Sequence, residues 1–520
     1  MQKTILITGA TDGIGLALAR QYQAAGARPL LLGRRAWADL PNLAAEFPAT
    51  DYCRADLAHA ACAAQVRSFL QELGISKLDI AIHNAGVGFY GRTGEQSADS
   101  INQLIDVNLV APIVLTHMLS PLLADGGQVV FISSVAADLP APDYVVYAAT
   151  KAALDDFARN LEMEWRGRTT VQTIHPGATR TGMHAKMGIS AETLNWQKFP
   201  SAEKVAAQIA KAIERKRLSP TVGVNNKVLG FVGRNLSGIL DPLLQRGQAK
   251  HNSTTPRADN GRKRCVITGA ADGIGKALAQ RYIAAGYAVV GIDVDAARAA
   301  QTQAELKDDG TDISFVLADL SSAEGIASAI ATLGSQPAID VLIHNAGISA
   351  VGRFDNVPIQ KQQKVIDVNL RAPLLLTAGL LANNALQPDA SFAFISSLSK
   401  QLGYPGASVY AATKSGLAAY ARSLRVAFGG HRHVLTVYPG PTRTAHAARY
   451  SPDNSREDNR MLPSQLADAI FTAVEKRRKE LIPGVGSRVF VAVGRIAPAV
   501  TNFAMKKMML DSLEDRVLVE

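Results

Sequence analysis

The chain has 520 residues, 47% of them hydrophobic and 19% charged, with three cysteines and a formal net charge of +10. That composition excludes a disordered, collagen-like or disulfide-stapled protein, and the length is more than one core requires. The positive balance would suit nucleic acid or acidic lipid. Its basic residues are nevertheless dispersed, apart from short clusters such as Arg215-Lys216-Arg217, Arg262-Lys263-Arg264 and Lys476-Arg477-Arg478. This reads as a solvated surface that welcomes anionic small molecules, with no nucleic-acid partner.

A strand is predicted almost at once, over Thr4-Ile5-Leu6-Ile7, which leaves no room for a signal peptide ahead of it. Cys53, Cys62 and Cys265 have neither metal-ligand spacing nor a disulfide framework, so no metal and a reducing cytoplasm are expected. The strand runs into Thr8-Gly9-Ala10-Thr11-Asp12-Gly13-Ile14-Gly15. Glycines at these positions let the turn tighten and bring free amides at a helix start up to a pyrophosphate. A second strand ends at Gly33 before Arg34-Arg35, a third before Asp56-Leu57, and a fourth at Asn84-Ala85-Gly86. Asp106-Val107-Asn108 lies on a later helix and Ser134 follows. Tyr147 and Lys151 then stand four residues apart, on one helix face, where an ammonium can favour phenolate and draw the phenol's acidity down.

Every one of these signals returns. Gly269, Gly273, Ile274 and Gly275 repeat the glycine turn, and Asp319-Leu320, Asn345-Ala346-Gly347, Asp367-Val368-Asn369, Ser397, Tyr410 and Lys414 follow in the same order. The offset drifts only from 260 residues at Gly9 and Gly269 to 263 at Tyr147 and Tyr410. Two collinear domains are therefore predicted, over 1–244 and 265–520, with the polar stretch 245–264 as linker. Strand-helix alternation in each predicts an α/β fold with two doubly wound parallel sheets of the Rossmann type in tandem.

Both halves resemble the short-chain dehydrogenase/reductase family over nearly their whole length. The resemblance implies two catalytic tetrads, Asn108, Ser134, Tyr147 and Lys151 in the first half and Asn369, Ser397, Tyr410 and Lys414 in the second. It also implies that Pro176-Gly177 with Thr181, and Pro439-Gly440 with Thr444, hold a nicotinamide carboxamide, and that Asp56 and Asp319 contact adenine. Each site would then transfer hydride between nicotinamide and a carbonyl or secondary alcohol carbon. Tyrosine would move the proton, serine would hold the substrate oxygen, lysine the ribose hydroxyls, and asparagine a water. His83 and His344 read as structural histidines at strand ends.

The halves part at the end of the second strand, where Gly33 falls opposite Asp293 and Arg34 opposite Val294. A carboxylate there accepts hydrogen bonds from an adenosine ribose and repels a 2′-phosphate, whereas glycine followed by arginines leaves space for that phosphate and a guanidinium to grip it. NADP is expected in the first half and NAD in the second. Differing wall residues (Asp138 and Gln401, Tyr144 and Ala407, Phe89 and Ala350) predict different pockets for an alcohol or ketone, of lipophilic character. The first half would reduce and the second oxidise, inverting one alcohol centre through a ketone if they share a substrate. Independent steps on successive intermediates, or a nicotinamide-sensing scaffold, are the alternatives. The tails Lys227–Leu244 and Arg488–Leu510 read as helices packed on their own domains, with contact to a membrane surface or lipid as the other reading. Val489, Val493, Ile496, Val500 and Phe503 form the second tail's apolar stripe. The resemblance further suggests that the halves pair with each other or that whole chains form homo-oligomers.

Overall fold

A computed structural model describes residues 2–187, 189, 195–248, 261–307, 313–455, 457–513 and 516–519. The first sheet is built from β1 (Thr4–Thr8), β2 (Arg28–Gly33), β3 (Tyr52–Arg54), β4 (Leu78–His83), β5 (Leu123–Ile132) and β6 (Thr170–Ile174). Its order is β3-β2-β1-β4-β5-β6, all parallel. The second contains β7 (Arg264–Thr268), β8 (Ala288–Asp293), β9 (Ile313–Leu317), β10 (Ile339–His344), β11 (Leu386–Ile395), β12 (His433–Val437) and β13 (Glu480–Leu481). Read from the other edge, it repeats the same order and adds β13 beside β12.

Parallel strands need crossovers and are buried on both faces, so the strands are runs of branched apolar residues. In β1, Ile5 lies between Pro29 and Ile80, and Ile5, Ile7, Leu31, Ile82 and Val130 share one core with the helices Gly13–Ala24 and Ala202–Glu214. Cys265, Ile267, Val341 and Ile343 form the equivalent core with the helices Gly273–Ala284 and Pro463–Glu475. Strand order reverses between β1 and β4, and again between β7 and β10. A crevice opens at the carboxyl ends of such neighbours, where open α/β sheets bind their ligands.

The chain divides into two compact units. The first is Met1–Tyr90, Asn102–Leu139 and Val146–Ser237, and the second is Gly91–Ile101, Pro140–Val145 and Gly238–Glu520. Of the expected linker, residues 249–260 lie outside the described residues, while a helix over Ser237–Gln248 occupies its start and β7 begins at Arg264. Two apolar helical stretches, Ala98–Leu122 and Ile359–Ala382, are long enough to cross a bilayer but mostly buried.

The second tail packs on its own domain, by one face only. Its helices Val485–Ile496 and Pro498–Lys506 bury Val491, Thr501 and Met505, whereas the stripe from Val489 to Phe503 points away from the core and is exposed. A 3.6-residue period locates an apolar face without saying whether that face is covered.

Candidate active sites

The glycine turns come first because they set the distance between backbone and ligand. Gly9 has φ +65°, and a Cβ there would stand 2.8 Å from Ala85 Cα, so β1 and β4 close on each other only over a glycine. Gly13 has φ +55° and faces Thr181, and a side chain on Gly15 would run into the Gly9 carbonyl and Asn84. Asn84 itself donates from Nδ2 to the carbonyls of Thr8 (3.0 Å) and Gly9 (3.3 Å), while Thr8 Oγ1 accepts from the amides of Asn84 and Ala85. The Asn84 side chain thus holds the turn in shape. Gly269, Gly273, Gly275, Thr268 and Asn345 repeat the arrangement.

Asn108 lies in a π-turn, Asp106–Val110, and Asn369 in its counterpart, Asp367–Arg371. π-turns are rare and collect at functional sites. Asn108 Nδ2 donates to the Val87 carbonyl (2.9 Å) and to Thr150 Oγ1 (3.2 Å), and its Oδ1 accepts from the Val87 amide (2.9 Å). Asn369 makes the same three bonds with Ile348 and Thr413. Gly86 stands against both Asn108 Oδ1 and Lys151 Nζ, as Gly347 does against Asn369 and Lys414. Asparagine and lysine therefore meet over the glycine at the end of the fourth strand.

Ser134 precedes a short 3₁₀ turn and caps it, accepting from the Ala136 amide at 3.1 Å, and it hydrogen-bonds the Tyr147 phenol. Ser397 does the same for Ser399 and Tyr410. The amides of Val135 and Leu398 donate to the carbonyls of Pro176 and Pro439, at 3.2 Å each, tying each serine segment to the Pro-Gly segment. Gly177 is crowded by Asn226 and Gly440 by Ser487.

The lysines correct one expectation. Lys151 Nζ is 5.8 Å from the centre of the Tyr147 ring and donates to the Ile132 carbonyl at 3.0 Å; Lys414 repeats this at 5.7 Å from Tyr410, on the Ile395 carbonyl. Burial raises the Tyr147 phenol above its ordinary value, Ser134 opposes the rise, and the Asp155 carboxylate adds to it. Burial likewise raises Tyr410, against Ser397 alone. Each ammonium is itself driven down to about 8 by burial, and only Lys151 has an acid, Asp155, pulling it back. In such surroundings desolvation outweighs a cation that is not in contact with the phenol.

In the second unit a single cleft of about 1390 Å³ joins the two ends of the site. Gly269, Gly273, Ile274, Asp293, Asp319, Leu320, Asn345 and Gly347 line the nucleotide end, and Ser397, Tyr410, Lys414, Pro439, Gly440 and Thr444 the catalytic end. Gly275 and Asn369 stand behind this lining, the first as a packing glycine and the second as the anchor described above. The expected wall residues Ala350, Gln401 and Ala407 do not line it; Leu402, Tyr404, Tyr450, Phe490, Met505 and Met509 do. Ala350 and Ala407 are buried instead. In the first unit Asp138 pairs with Arg234, 3.5 Å away. Asp56 accepts from the Ala58 amide beside Leu57, and Ile14 packs on the core.

At the ends of the second strands the contrast is chemical. A Cβ on Gly33 would meet Thr11 at 2.5 Å and the Tyr52 hydroxyl at 3.0 Å. Arg34 and Arg35 follow it; Arg35 is fastened to the Thr11 carbonyl (2.9 Å), and Arg54 pairs with Gly33 across β2 and β3. Arg54 escaped the sequence reading, although it lies two residues before Asp56. Lys186 also escaped it, and it pairs with Asp12 at 2.9 Å. Asp293, by contrast, accepts from the amides of Ala271 (2.9 Å), Val294 (2.9 Å) and Asp295 (3.2 Å). A further difference was not foreseen: His175 Nε2 meets Asp155 Oδ2 at 2.8 Å, where the second domain has Ala418 and Tyr438. His83 and His344 are buried against Thr116 and Thr377, and burial holds both down to about 3.

The family model for short chain dehydrogenase matches residues 3–191 and again 263–455. Among curated proteins, serine 3-dehydrogenase of Agrobacterium fabrum is 36% identical over 190 residues, 35% of this chain and 74% of that protein. The cyclic-di-GMP-binding biofilm dispersal mediator protein of Escherichia coli is 30% identical over 214 residues, 40% of this chain and 88% of that one. Of solved structures, the N-domain of bacterial malonyl-CoA reductase with NADP is similar over 93% of this chain and 98% of its own, with a TM-score of 0.63 at 17% identity, a likeness of fold. On the repeated match, the chain belongs to the short-chain dehydrogenase family and is an NAD(P)-dependent oxidoreductase built from two tandem domains.

Proposed function

We propose that the first domain reduces a ketone with NADPH while the second oxidises a secondary alcohol with NAD. The observation that carries this reading is the exchange at the end of the second strand. Thr11 and the Tyr52 hydroxyl leave no room for a side chain on Gly33, so no carboxylate stands at this strand end, and the exposed Arg34, Arg35 and Arg54 next to it in sequence and strand pairing suit a 2′-phosphate. Asp293, fixed by three backbone amides, fits two ribose hydroxyls and repels a phosphate. Lys186 pairs with Asp12 in the first nucleotide turn and offsets its charge. A charge-assisted bond to phosphate is worth about 1.5–3 kcal/mol, roughly ten- to a hundredfold in preference.

The bound nicotinamide supplies or accepts the hydride. The chain's own part is positional and protonic. Ser134 or Ser397 holds the substrate oxygen beside the phenol with which it is already hydrogen-bonded. Tyr147 gives its proton to the oxygen formed in reduction, and Tyr410 would take one in oxidation from its phenolate form, after losing its own proton to solvent. Lys151 and Lys414, at the meeting point with Gly86 and Gly347, would lie along the ribose. The apolar catalytic end of the second cleft, with Leu402, Phe490, Met505 and Met509, suits a lipophilic alcohol. Acting on one carbon, the two half-reactions would invert that alcohol through its ketone, consuming one NADPH and one NAD. We place this chemistry in the cytoplasm, where NADP is largely reduced and NAD oxidised.

The full-length chain tests the assignment. Tyr147→Phe should abolish NADPH-linked ketone reduction and spare NAD-linked oxidation, and Tyr410→Phe should do the reverse. In the Tyr410→Phe background Arg34→Ala should raise the KM for NADPH at least tenfold more than that for NADH. Equal loss of both activities from either tyrosine change, or indifference to the 2′-phosphate, would overturn it.

A further inference from the structure

The helices Val485–Ile496 and Pro498–Lys506 are apolar on two sides. Val491, Thr501 and Met505 face the core, while Val485, Val489, Val493, Ile496, Val500 and Phe503 face outward, with Val485 74%, Ile496 86% and Phe503 73% exposed. Single exposed apolar residues are ordinary, but six on the outer side of two packed helices call for a partner. We propose that this outer face docks on an anionic lipid bilayer, so that the enzyme works as a peripheral protein of a membrane surface.

Charge selects this partner over a second copy of the chain. Between Val485 and Leu510 the sequence contains Arg488, Arg495, Lys506 and Lys507 and no acid. A symmetric dimer through the face would set this cationic segment against itself, whereas an anionic headgroup layer complements it. At 12 and 9 residues the helices are too short to span a bilayer, and apolar residues flanked by lysine and arginine suit the interfacial plane. The same segment walls the second cleft through Phe490, Met505, Met508 and Met509, so apolar surface runs from the outer face to the catalytic end. The first domain repeats the pattern at the corresponding place. Its helix Val224–Asn235 exposes Val224, Val228 and Phe231, carries Lys227 and has no acid, its Arg234 being paired with Asp138. This proposal does not depend on which cofactor or alcohol either domain uses.

The test is co-sedimentation of the full chain with vesicles of phosphatidylcholine alone or mixed with phosphatidylglycerol. Binding at least about tenfold stronger to the mixed vesicles, and weakened by salt, is expected. The double change Ile496→Glu and Phe503→Glu should lower the bound fraction about tenfold while leaving turnover of a small water-soluble alcohol unchanged. Hydrogen exchange on the unmodified chain gives a second readout, in which the segment 485–510 should gain protection with mixed vesicles. Absence of binding, equal binding to both vesicle types, or binding that survives the double change would overturn the proposal. So would self-association abolished by the same substitutions without any vesicle binding.

Discussion

Replacing Lys151 by methionine should silence the first domain and stabilise it at the same time. The buried ammonium is held down to about 8 from an ordinary 10.5, a gap that at about 1.4 kcal/mol per unit costs the folded state about 3 kcal/mol wherever the group must be charged. The sign follows from proton counting. Between about pH 8 and 10.5 the unfolded chain binds the proton that the folded one has released, so stability rises with pH across that window. Below about 8 the penalty is complete. Methionine fills the lysine stem without charge but forfeits the charge-assisted bond to the Ile132 carbonyl, about 1.5–3 kcal/mol. A net gain of up to about 1.5 kcal/mol at pH 7 remains, or up to about 3–6 °C in Tm for a domain of this size. Urea unfolding of Lys151→Met from pH 7 to 10.5 checks it, because the variant should lose the rise seen in the parent chain. A variant less stable at pH 7, or one that keeps the full slope, would refute the reasoning that burial dominates this lysine.

Gly9→Ala combines a left-handed backbone with a 2.8 Å approach to Ala85 Cα, so it should cost at least about 2 kcal/mol in urea unfolding and abolish nucleotide binding in the first domain. Burial lowers His175, but the Asp155 carboxylate outweighs it and leaves the imidazole raised, with Asp138 adding and Arg234 opposing. The stability so contributed is present below about pH 6.5 and is lost as pH rises through the raised value. Asp155→Asn should therefore destabilise most at acid pH and least above neutrality, as denaturant titrations at several pH values will show.

The residues legible in the sequence were those fixed by short spacing. Gly9-x-x-x-Gly13-x-Gly15, Tyr147-x-x-x-Lys151 and their repeats need only one turn or one helix face, and the structure sets Ser134 on Tyr147 and Ser397 on Tyr410. Residues gathered by the sheet were less legible. Arg54 reaches Gly33 through strand pairing, and Tyr450, Phe490 and Met505 reach the second cleft through elements far along the chain from Tyr410. Spacing also placed Lys151 on the tyrosine's face but could not show that its amine is buried on the Ile132 carbonyl. The exchange of Gly33 for Asp293 was legible only because the repeat supplied its own comparison.

Each tetrad asparagine rides on a π-turn, which is one surplus residue stored inside a helix. An ordinary helix advances about 100° per residue, so expelling that surplus would swing Asn108 away from Val87 and Thr150, even with every side chain retained. The stretches 106–110 and 367–371 are therefore sensitive to length before they are sensitive to identity. Most loops absorb the gain or loss of a residue, but here a single deletion in regular secondary structure would misdirect an active site whose fold it leaves standing.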